Sequence, residues 1–115
     1  MNTSTRNCRG TAIIDVIGHI DIGSSPALRK SMIECLRNST RLAVNLAEVK
    51  YLDSSGIASL LEVLKEARSS KKRFVLFGLT GAVHEVLQLT RLTGVFEIYD
   101  SENDALDAAV AAGGN

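Results

Sequence analysis

Residues 51–57 form the run Tyr51-Leu52-Asp53-Ser54-Ser55-Gly56-Ile57, which joins a predicted strand to a predicted helix. Upstream, apolar residues alternate with smaller or polar ones, as in a strand: Leu42, Val44 and Leu46. Downstream, apolar residues recur at the spacing of one helical face: Ile57, Leu60, Leu61 and Leu64. The Asp-Ser-Ser-Gly turn at 53–56 is therefore predicted to lie at a helix N-terminus, between two rigid elements.

Two hydroxyl groups stand at the start of this helix. Ser54 or Ser55 is predicted to be the N-cap, because a serine hydroxyl can accept a hydrogen bond from an unpaired backbone amide of the first turn. The same amides and the positive end of the helix dipole would also accommodate a phosphate on a capping serine. A phosphoryl group adds about −1.5 to −2 charge at neutral pH. Beside Asp53, that charge would repel an acidic or apolar partner surface without unfolding the domain.

The longer run 42–57 resembles the signature of the STAS domains, the family of bacterial anti-sigma factor antagonists and of the cytoplasmic domains of sulphate transporters. The family's Gly-Glu-x-Asp turn into its first helix resembles Gly18-His19-Ile20-Asp21 in this chain. Its later core strand resembles residues 73–79, and the helix and closing strand that follow resemble residues 83–98. The Asp-Ser-Ser-Gly element is the most specific part of the resemblance.

The resemblance implies a regulatory mechanism with no catalytic residue, cofactor or metal site in this chain. In such domains the unphosphorylated protein binds an anti-sigma factor that is also a serine kinase, and so frees the sigma factor. Phosphorylation then ends the complex, and a partner phosphatase resets it. By position the phosphorylated residue is Ser54, with Ser55 as the neighbouring candidate. The implied partner-binding residues are Asp21, Ser24, Asp53, Ser54, Ser55 and Gly56.

One departure and two alternative functions accompany this interpretation. The family's usual Glu is His19 here, and an imidazole cannot reproduce the contact of a carboxylate with a partner Arg. One alternative is a non-enzymatic STAS subunit of a stress-signalling scaffold or an ABC-type lipid transport complex. Another is a small hydrolase using Asp53, Ser54 and His84. The hydrolase is disfavoured because Ser54 is not in a G-x-S-x-G elbow.

Strands and helices alternate along the chain. Two runs near the start, the second over 12–17, are predicted as strands, and later strands are predicted at 42–46, 74–77 and 96–99. Helices are predicted from 24 to about 37, 57 to about 69, 81–89 and 101–112. This order predicts an α/β fold: one STAS domain over 1–115, with a four- to five-stranded mixed sheet, about four helices, and flexible ends at 1–9 and 113–115.

Charge and composition exclude several classes of partner. Thirteen basic and thirteen acidic residues cancel, so no net field draws the chain to nucleic acid or an anionic membrane. We find no signal peptide and no apolar run of roughly 20 residues, and we expect a cytoplasmic protein. Two cysteines are too few for a metal site or a disulfide framework. Helix and strand faces account for the apolar residues, which favours a monomer that binds another protein.

Acidic residues crowd the end of the chain: Glu97, Asp100, Glu102, Asp104 and Asp107. Ser101 and Asp104 have the spacing of a capping box, and carboxylates are favoured in a first helical turn. The alternative explanation is that these carboxylates form an acidic surface to which a partner binds. The opposite charge is concentrated at Lys71-Lys72-Arg73, which is predicted to be a solvated turn before a strand.

Overall fold

The structure, a computed structural model, describes residues 1–113 of the chain. Its described part contains five strands and four helices. In chain order they are β1 (Asn2–Cys8), β2 (Thr11–Ile20), α1 (Ser25–Asn38), β3 (Arg41–Leu52), α2 (Ser54–Ser69), β4 (Arg73–Phe77), α3 (Gly81–Leu89), β5 (Glu97–Tyr99) and α4 (Glu102–Gly113). The predicted α/β class, mixed sheet and helix count are confirmed.

The five strands form one sheet in the order β1-β2-β3-β4-β5. β1 pairs antiparallel with β2, and the other neighbouring pairs are parallel. Each parallel pair is joined by a helix, because the chain must cross back to the end of the sheet where the previous strand began before it can start a parallel strand. The carboxyl ends of β2, β3 and β4 therefore lie at one end of the molecule, together with the N-termini of the helices that follow them.

Apolar side chains cover both faces of the sheet. On one face, strand residues such as Ile14, Val44 and Leu76 pack with residues of α1, α2 and α3. On the other face, Ile13, Ala43, Val75 and Phe77 pack against Ala105 and Leu106 of α4. Because both faces of these strands are covered, consecutive residues along them are buried. This explains the continuous apolar runs in the sequence.

β2 and β3 are longer than the other parallel strands. Their pairing continues to His19 opposite Tyr51 and Ile20 opposite Leu52, after register shifts between Asp15 and Ile17 and between Gly18 and His19. β4, in contrast, pairs with β3 only as far as Asn45. The ends of β2 and β3 therefore project beyond β4, and they carry the loop at 21–24 and the turn at 53–56.

The structure corrects three of the predicted boundaries. β3 continues to Leu52, six residues past its predicted end at 46. Residues 2–8, expected to be flexible, form β1 and pair with β2 without a register break. Helix α2 begins at Ser54 rather than at 57. At the other end, Gly113 closes α4, and the remaining part of the expected flexible end lies outside the described residues. No helix in the part of the chain that the structure describes has the length and apolar character needed to cross a membrane.

The acidic residues near the end of the chain take part in ion pairs within the domain. Glu102 binds Arg6 of β1, which also binds Asp15 of β2 with an N–O distance of 2.7 Å. Asp107 binds Arg9 at 2.7 Å, and Glu97 binds Arg73 at 2.5 Å. The predicted cap is present as well, because the amide of Asp104 donates to the Ser101 hydroxyl at 3.2 Å. These contacts account for three of the five carboxylates without a partner-binding role.

Candidate functional site

The loop at 21–24 and the turn at 53–56 meet at the projecting ends of β2 and β3. The amide of Asp53 donates to the carbonyl oxygen of Ile20 at 3.2 Å, which extends the pairing of the two strands by one hydrogen bond. Just before this point, the rings of His19 and Tyr51 make an edge-to-face contact with 5.8 Å between their centres. The structure therefore brings together all six residues predicted for the partner-binding site.

Asp53 is the N-cap of α2. Its Oδ1 accepts hydrogen bonds from the amides of Ser55 at 3.0 Å and Gly56 at 3.2 Å, and from the Ser55 hydroxyl at 2.7 Å. The prediction that Ser54 or Ser55 caps the helix is therefore wrong. Asp53 is the last residue with extended backbone, at φ −106° and ψ −173°, so only its side chain can reach back to the first amides.

The carboxylate of Asp53 is held in its charged form. Hydrogen bonding to the Ser55 hydroxyl is the largest influence that lowers the pKa of Asp53, followed by the amides of Gly56, Ser55 and Ile22. Donors to an ionised carboxylate favour that form. The turn therefore carries a fixed negative charge at neutral pH, held by donors in the first turn of α2.

The two serines of the turn differ in availability. Ser54 is exposed, and its hydroxyl makes no hydrogen bond to any described residue. Ser55 is half-buried, and its hydroxyl is bound to Asp53. Of the two hydroxyls, that of Ser54 is the one an enzyme could reach without breaking a contact.

Gly56 allows α2 to begin directly against β2. A Cβ atom at this position would lie 2.4 Å from Cδ1 of Leu52, 2.7 Å from Cγ2 of Ile20 and 3.2 Å from the Ile20 carbonyl oxygen. Such distances are too short for any larger residue unless the strand or helix shifts. The glycine of the motif is therefore a packing requirement that fixes the turn against the loop at 21–24.

The loop at 21–24 is fastened by its own side chains. Oδ1 of Asp21 accepts from the amides of Gly23 at 3.0 Å and Ser24 at 3.1 Å. The Ser24 hydroxyl accepts from the amide of Asp21 and donates to the carbonyl oxygen of His19, each at 2.9 Å. Asp21 and Ser24, predicted as partner contacts, thus have a clear structural role, and Ser24 makes no side-chain cap to α1.

Sequence reasoning did not single out Ile22. Its side chain is 80% exposed, the highest fraction among the exposed large hydrophobic residues in the described part of the chain. The available signal was an apolar residue inside the polar turn Asp21-Ile22-Gly23-Ser24, where composition alone would predict only polar residues.

Groups suited to metal binding or hydrolysis are not assembled at this end of the domain. Within residues 1–113, no group of three or more His, Cys, Asp or Glu side chains could hold a metal ion. His84, which the hydrolase alternative requires, is exposed on α3. No hydrogen bond among the described residues joins it to Ser54.

Relatives of the chain are regulatory proteins of similar length. A protein from Listeria monocytogenes named anti-sigma-B factor antagonist is 28% identical over 99 residues, which are 84% of this chain and 87% of that protein. The solved structure of an anti-sigma factor antagonist from Mycobacterium paratuberculosis has a TM-score of 0.79 and 25% identity, and covers 94% of this chain and 92% of its own.

The Bacillus protein SpoIIAA, named an anti-sigma factor antagonist, is similar in fold. Its unphosphorylated form has a TM-score of 0.78 and 20% identity, and covers 99% of this chain and 98% of its own. Its phosphorylated form has a TM-score of 0.70 and 20% identity, and covers 93% of this chain and 98% of its own. In addition, the family described as STAS domain matches residues 2–105. With nearly its whole length matched, the chain belongs to the STAS domain family.

Proposed function

We propose that this chain is an anti-sigma factor antagonist controlled by phosphorylation of Ser54. Unphosphorylated, it binds an anti-sigma factor that has serine kinase activity, and the sigma factor is released. The observation that carries the proposal is the exposed, unbonded hydroxyl of Ser54 on a rigid turn beside the ionised carboxylate of Asp53. The names of the relatives, including the anti-sigma-B factor antagonist of Listeria monocytogenes, support the same function.

The position of Asp53 suggests how phosphorylation acts. Its carboxylate already occupies the amides of Ser55 and Gly56, which a phosphate at a helix N-terminus would otherwise bind. A phosphate on Ser54 therefore stays in the solvent beside a second negative charge. It adds about −1.5 to −2 charge at neutral pH. The bound partner then has to accept this charge or dissociate, while the domain itself keeps its fold.

The remaining parts of the cycle follow from this chemistry. Because a phosphoserine is stable without an enzyme to hydrolyse it, a phosphatase has to restore the binding form. The chain acts as a ligand and a kinase substrate rather than as a catalyst. Its effect on transcription is indirect, through the sigma factor that the anti-sigma factor holds.

The test combines partner capture with mass analysis of the site. Tagged chain is used to capture proteins from the source-cell extract, and the peptide containing Ser54 is examined for one added phosphoryl group. We expect an anti-sigma factor with a kinase domain in the captured material, and phosphate on Ser54 after incubation with ATP. The matched variants are Ser54→Ala, Ser54→Asp and Ser55→Ala.

Each variant has a distinct expected result. Ser54→Ala binds and is not phosphorylated, Ser54→Asp does not bind, and Ser55→Ala is still phosphorylated on Ser54. Phosphorylation of Ser54→Ala at the wild-type rate would show that the site is wrong. If the captured partner is a scaffold or transporter and Ser54→Asp still binds it, the chain is instead a constitutive STAS subunit.

A further inference from the structure

Ile22 is an aliphatic side chain held out into solvent by a rigid loop. It is 80% exposed, although its two neighbours Asp21 and Gly23 are tied to each other by a hydrogen bond of 3.0 Å. The amides of Ser24 and Ser25 both donate to the carbonyl oxygen of Asp21, at 3.1 and 2.8 Å. The loop therefore fixes the position of the side chain without burying it.

The same residue is attached to the turn that carries Ser54. The loop and the turn are joined where the backbone amide of Asp53 donates to the carbonyl oxygen of Ile20 at 3.2 Å, two residues before Ile22. Asp53 and Ser54 are consecutive, so the exposed apolar side chain and the exposed hydroxyl are presented by one hydrogen-bonded unit. A partner that covers Ser54 therefore lies beside the loop that presents Ile22.

We propose that Ile22 is the apolar anchor of the complex, and that the anti-sigma factor receives it in a nonpolar pocket beside the contact for Ser54. This inference rests on the proposed function. A side chain already held in one place loses little conformational freedom on binding, which makes its burial more effective. Full burial of such a side chain corresponds to about a tenfold gain in affinity or more.

An apolar pocket at this position also explains why a single phosphate would end the complex. A doubly charged group on Ser54 would be placed at the edge of a nonpolar contact, where few waters remain to solvate it. Burial of a charge without a compensating partner is strongly unfavourable. The anchor and the phosphorylation site thus act on the same contact, one favouring it and the other opposing it.

The test compares Ile22 with a second aliphatic residue of similar exposure. Leu89, at the end of α3, is 75% exposed and provides a matched control away from the turn. The probe is the purified anti-sigma factor captured by the unphosphorylated chain, and its affinity is measured for wild type, Ile22→Ser, Ile22→Val and Leu89→Ser. Thermal unfolding of each variant verifies that the fold is intact.

We expect Ile22→Ser to weaken binding at least about tenfold. Ile22→Val, which removes one methylene, should weaken it by about fourfold or less. Leu89→Ser should bind as the wild type does. If Ile22→Ser binds as Leu89→Ser does while Ser54→Asp still abolishes binding, the anchor is refuted and the proposed function stands. If the wild-type chain binds no anti-sigma factor, the proposed function fails, and the anchor fails with it.

Discussion

Asp53 connects the parts of the site through its side chain and its backbone. Its carboxylate caps α2 and fixes the hydroxyl of Ser55, while its amide donates to Ile20 at the start of the neighbouring loop. Ser54, one residue later, takes part in none of these contacts. The residue that the proposed kinase modifies is therefore separate from the residue that maintains the local structure, and the site can change its charge without losing its shape.

This separation predicts a difference between two neighbouring alanine variants. Ser54→Ala should change the free energy of unfolding by no more than about 0.5 kcal/mol, as is usual for exposed positions. Asp53→Ala should destabilise the domain more, because the first amides of α2 and the hydroxyl of Ser55 lose their acceptor. Urea denaturation at pH 7 measures both. Equal effects of the two substitutions would contradict the assignment of Asp53 as the cap.

The glycine of the motif gives a second prediction at this scale. Gly56→Ala should cost about 1–3 kcal/mol of unfolding free energy, because its methyl group would overlap Leu52 and Ile20. Gly81→Ala is the control, since an added Cβ there has no atom within 4 Å. It should be neutral or stabilise by up to about 1 kcal/mol. A Gly56 variant as stable as the Gly81 variant would refute the close packing.

The residues of the site were partly predictable from the sequence. Spacing placed Asp53, Ser54 and Ser55 at a helix start, but it could not decide which of three consecutive polar residues caps the helix. That choice depends on where β3 ends. β3 continues to Leu52 and α2 begins at Ser54, so Asp53 is the single residue between them and takes the N-cap position. Ile22 was missed because its importance comes from exposure, and exposure is a property of the folded chain.

Among the secondary-structure elements, β1 and α4 are joined across the edge of the sheet by ion pairs between side chains. Arg6 of β1 binds Glu102 of α4 and Asp15 of β2. These contacts, led by the hydrogen bond from Arg6, lower the pKa of both carboxylates below their ordinary values. The side chains of β1 contribute little to the core, since six of its seven residues are exposed.

The polar character of β1 explains why residues 1–9 were predicted as a flexible end, although two strands were expected near the start of the chain and only the second had predicted bounds. A strand is recognised from apolar residues that alternate with polar ones, and Asn2-Thr3-Ser4-Thr5-Arg6-Asn7 has no apolar residue. Its stability comes from backbone pairing with β2 and from ion pairs to residues distant in sequence. The helices and the other inner strands, whose apolar residues follow a regular period, were predicted to within three residues, whereas β3 continues six residues past its predicted end at 46.

The ion pairs predict a pH-dependent contribution to stability. Arg6→Gln should lower the free energy of unfolding at pH 7 by about 1 kcal/mol, because such partly exposed pairs contribute little each. The folded pKa values of Asp15 and Glu102 lie below their unfolded values of about 3.9 and 4.3. Their contribution is therefore complete above pH of about 4.3 and disappears as the pH falls through the lowered values.

Denaturation at pH 7 and at pH 3 tests this prediction. Wild type should lose more stability between the two pH values than Arg6→Gln does, and the two proteins should become more alike at pH 3. Arg9→Gln is the control, because Arg9 and Asp107 form a more exposed pair, with side chains 50% and 71% accessible. A pH dependence that Arg6→Gln leaves unaltered would exclude this network as its source.

At the scale of the whole molecule, the candidate site lies at one end of a well-packed frame. Both faces of the sheet are covered, and the loop and turn of the site are hydrogen-bonded to the ends of the inner strands β2 and β3. Ser54 itself belongs to neither hydrophobic cluster. The effect of a phosphate should therefore be confined to this end of the domain.

This confinement can be measured by NMR. Between the unmodified chain and the chain phosphorylated on Ser54, backbone amide shifts should change at 19–24 and 51–60 and stay nearly constant in β1 and α4. The Ser54→Asp variant serves as a second comparison and should give the same pattern with smaller shifts. Large changes throughout α4 would show that phosphorylation rearranges the domain, and charge repulsion alone would then be an insufficient explanation.

The antiparallel pairing of β1 has a practical consequence for anyone who handles this protein. Asn2 lies opposite Ile17, and Met1 lies beside Gly18, near the ends of β2 and β3 that carry the turn. A purification tag or reporter fused ahead of Met1 would emerge at the same end of the sheet as Ser54, where it would compete with a partner for space. α4 runs away from this end, since Glu102 contacts Arg6 and Asp107 already reaches Arg9 at the opposite end of the sheet. Labels and immobilisation linkers are therefore better attached through α4 than ahead of Met1.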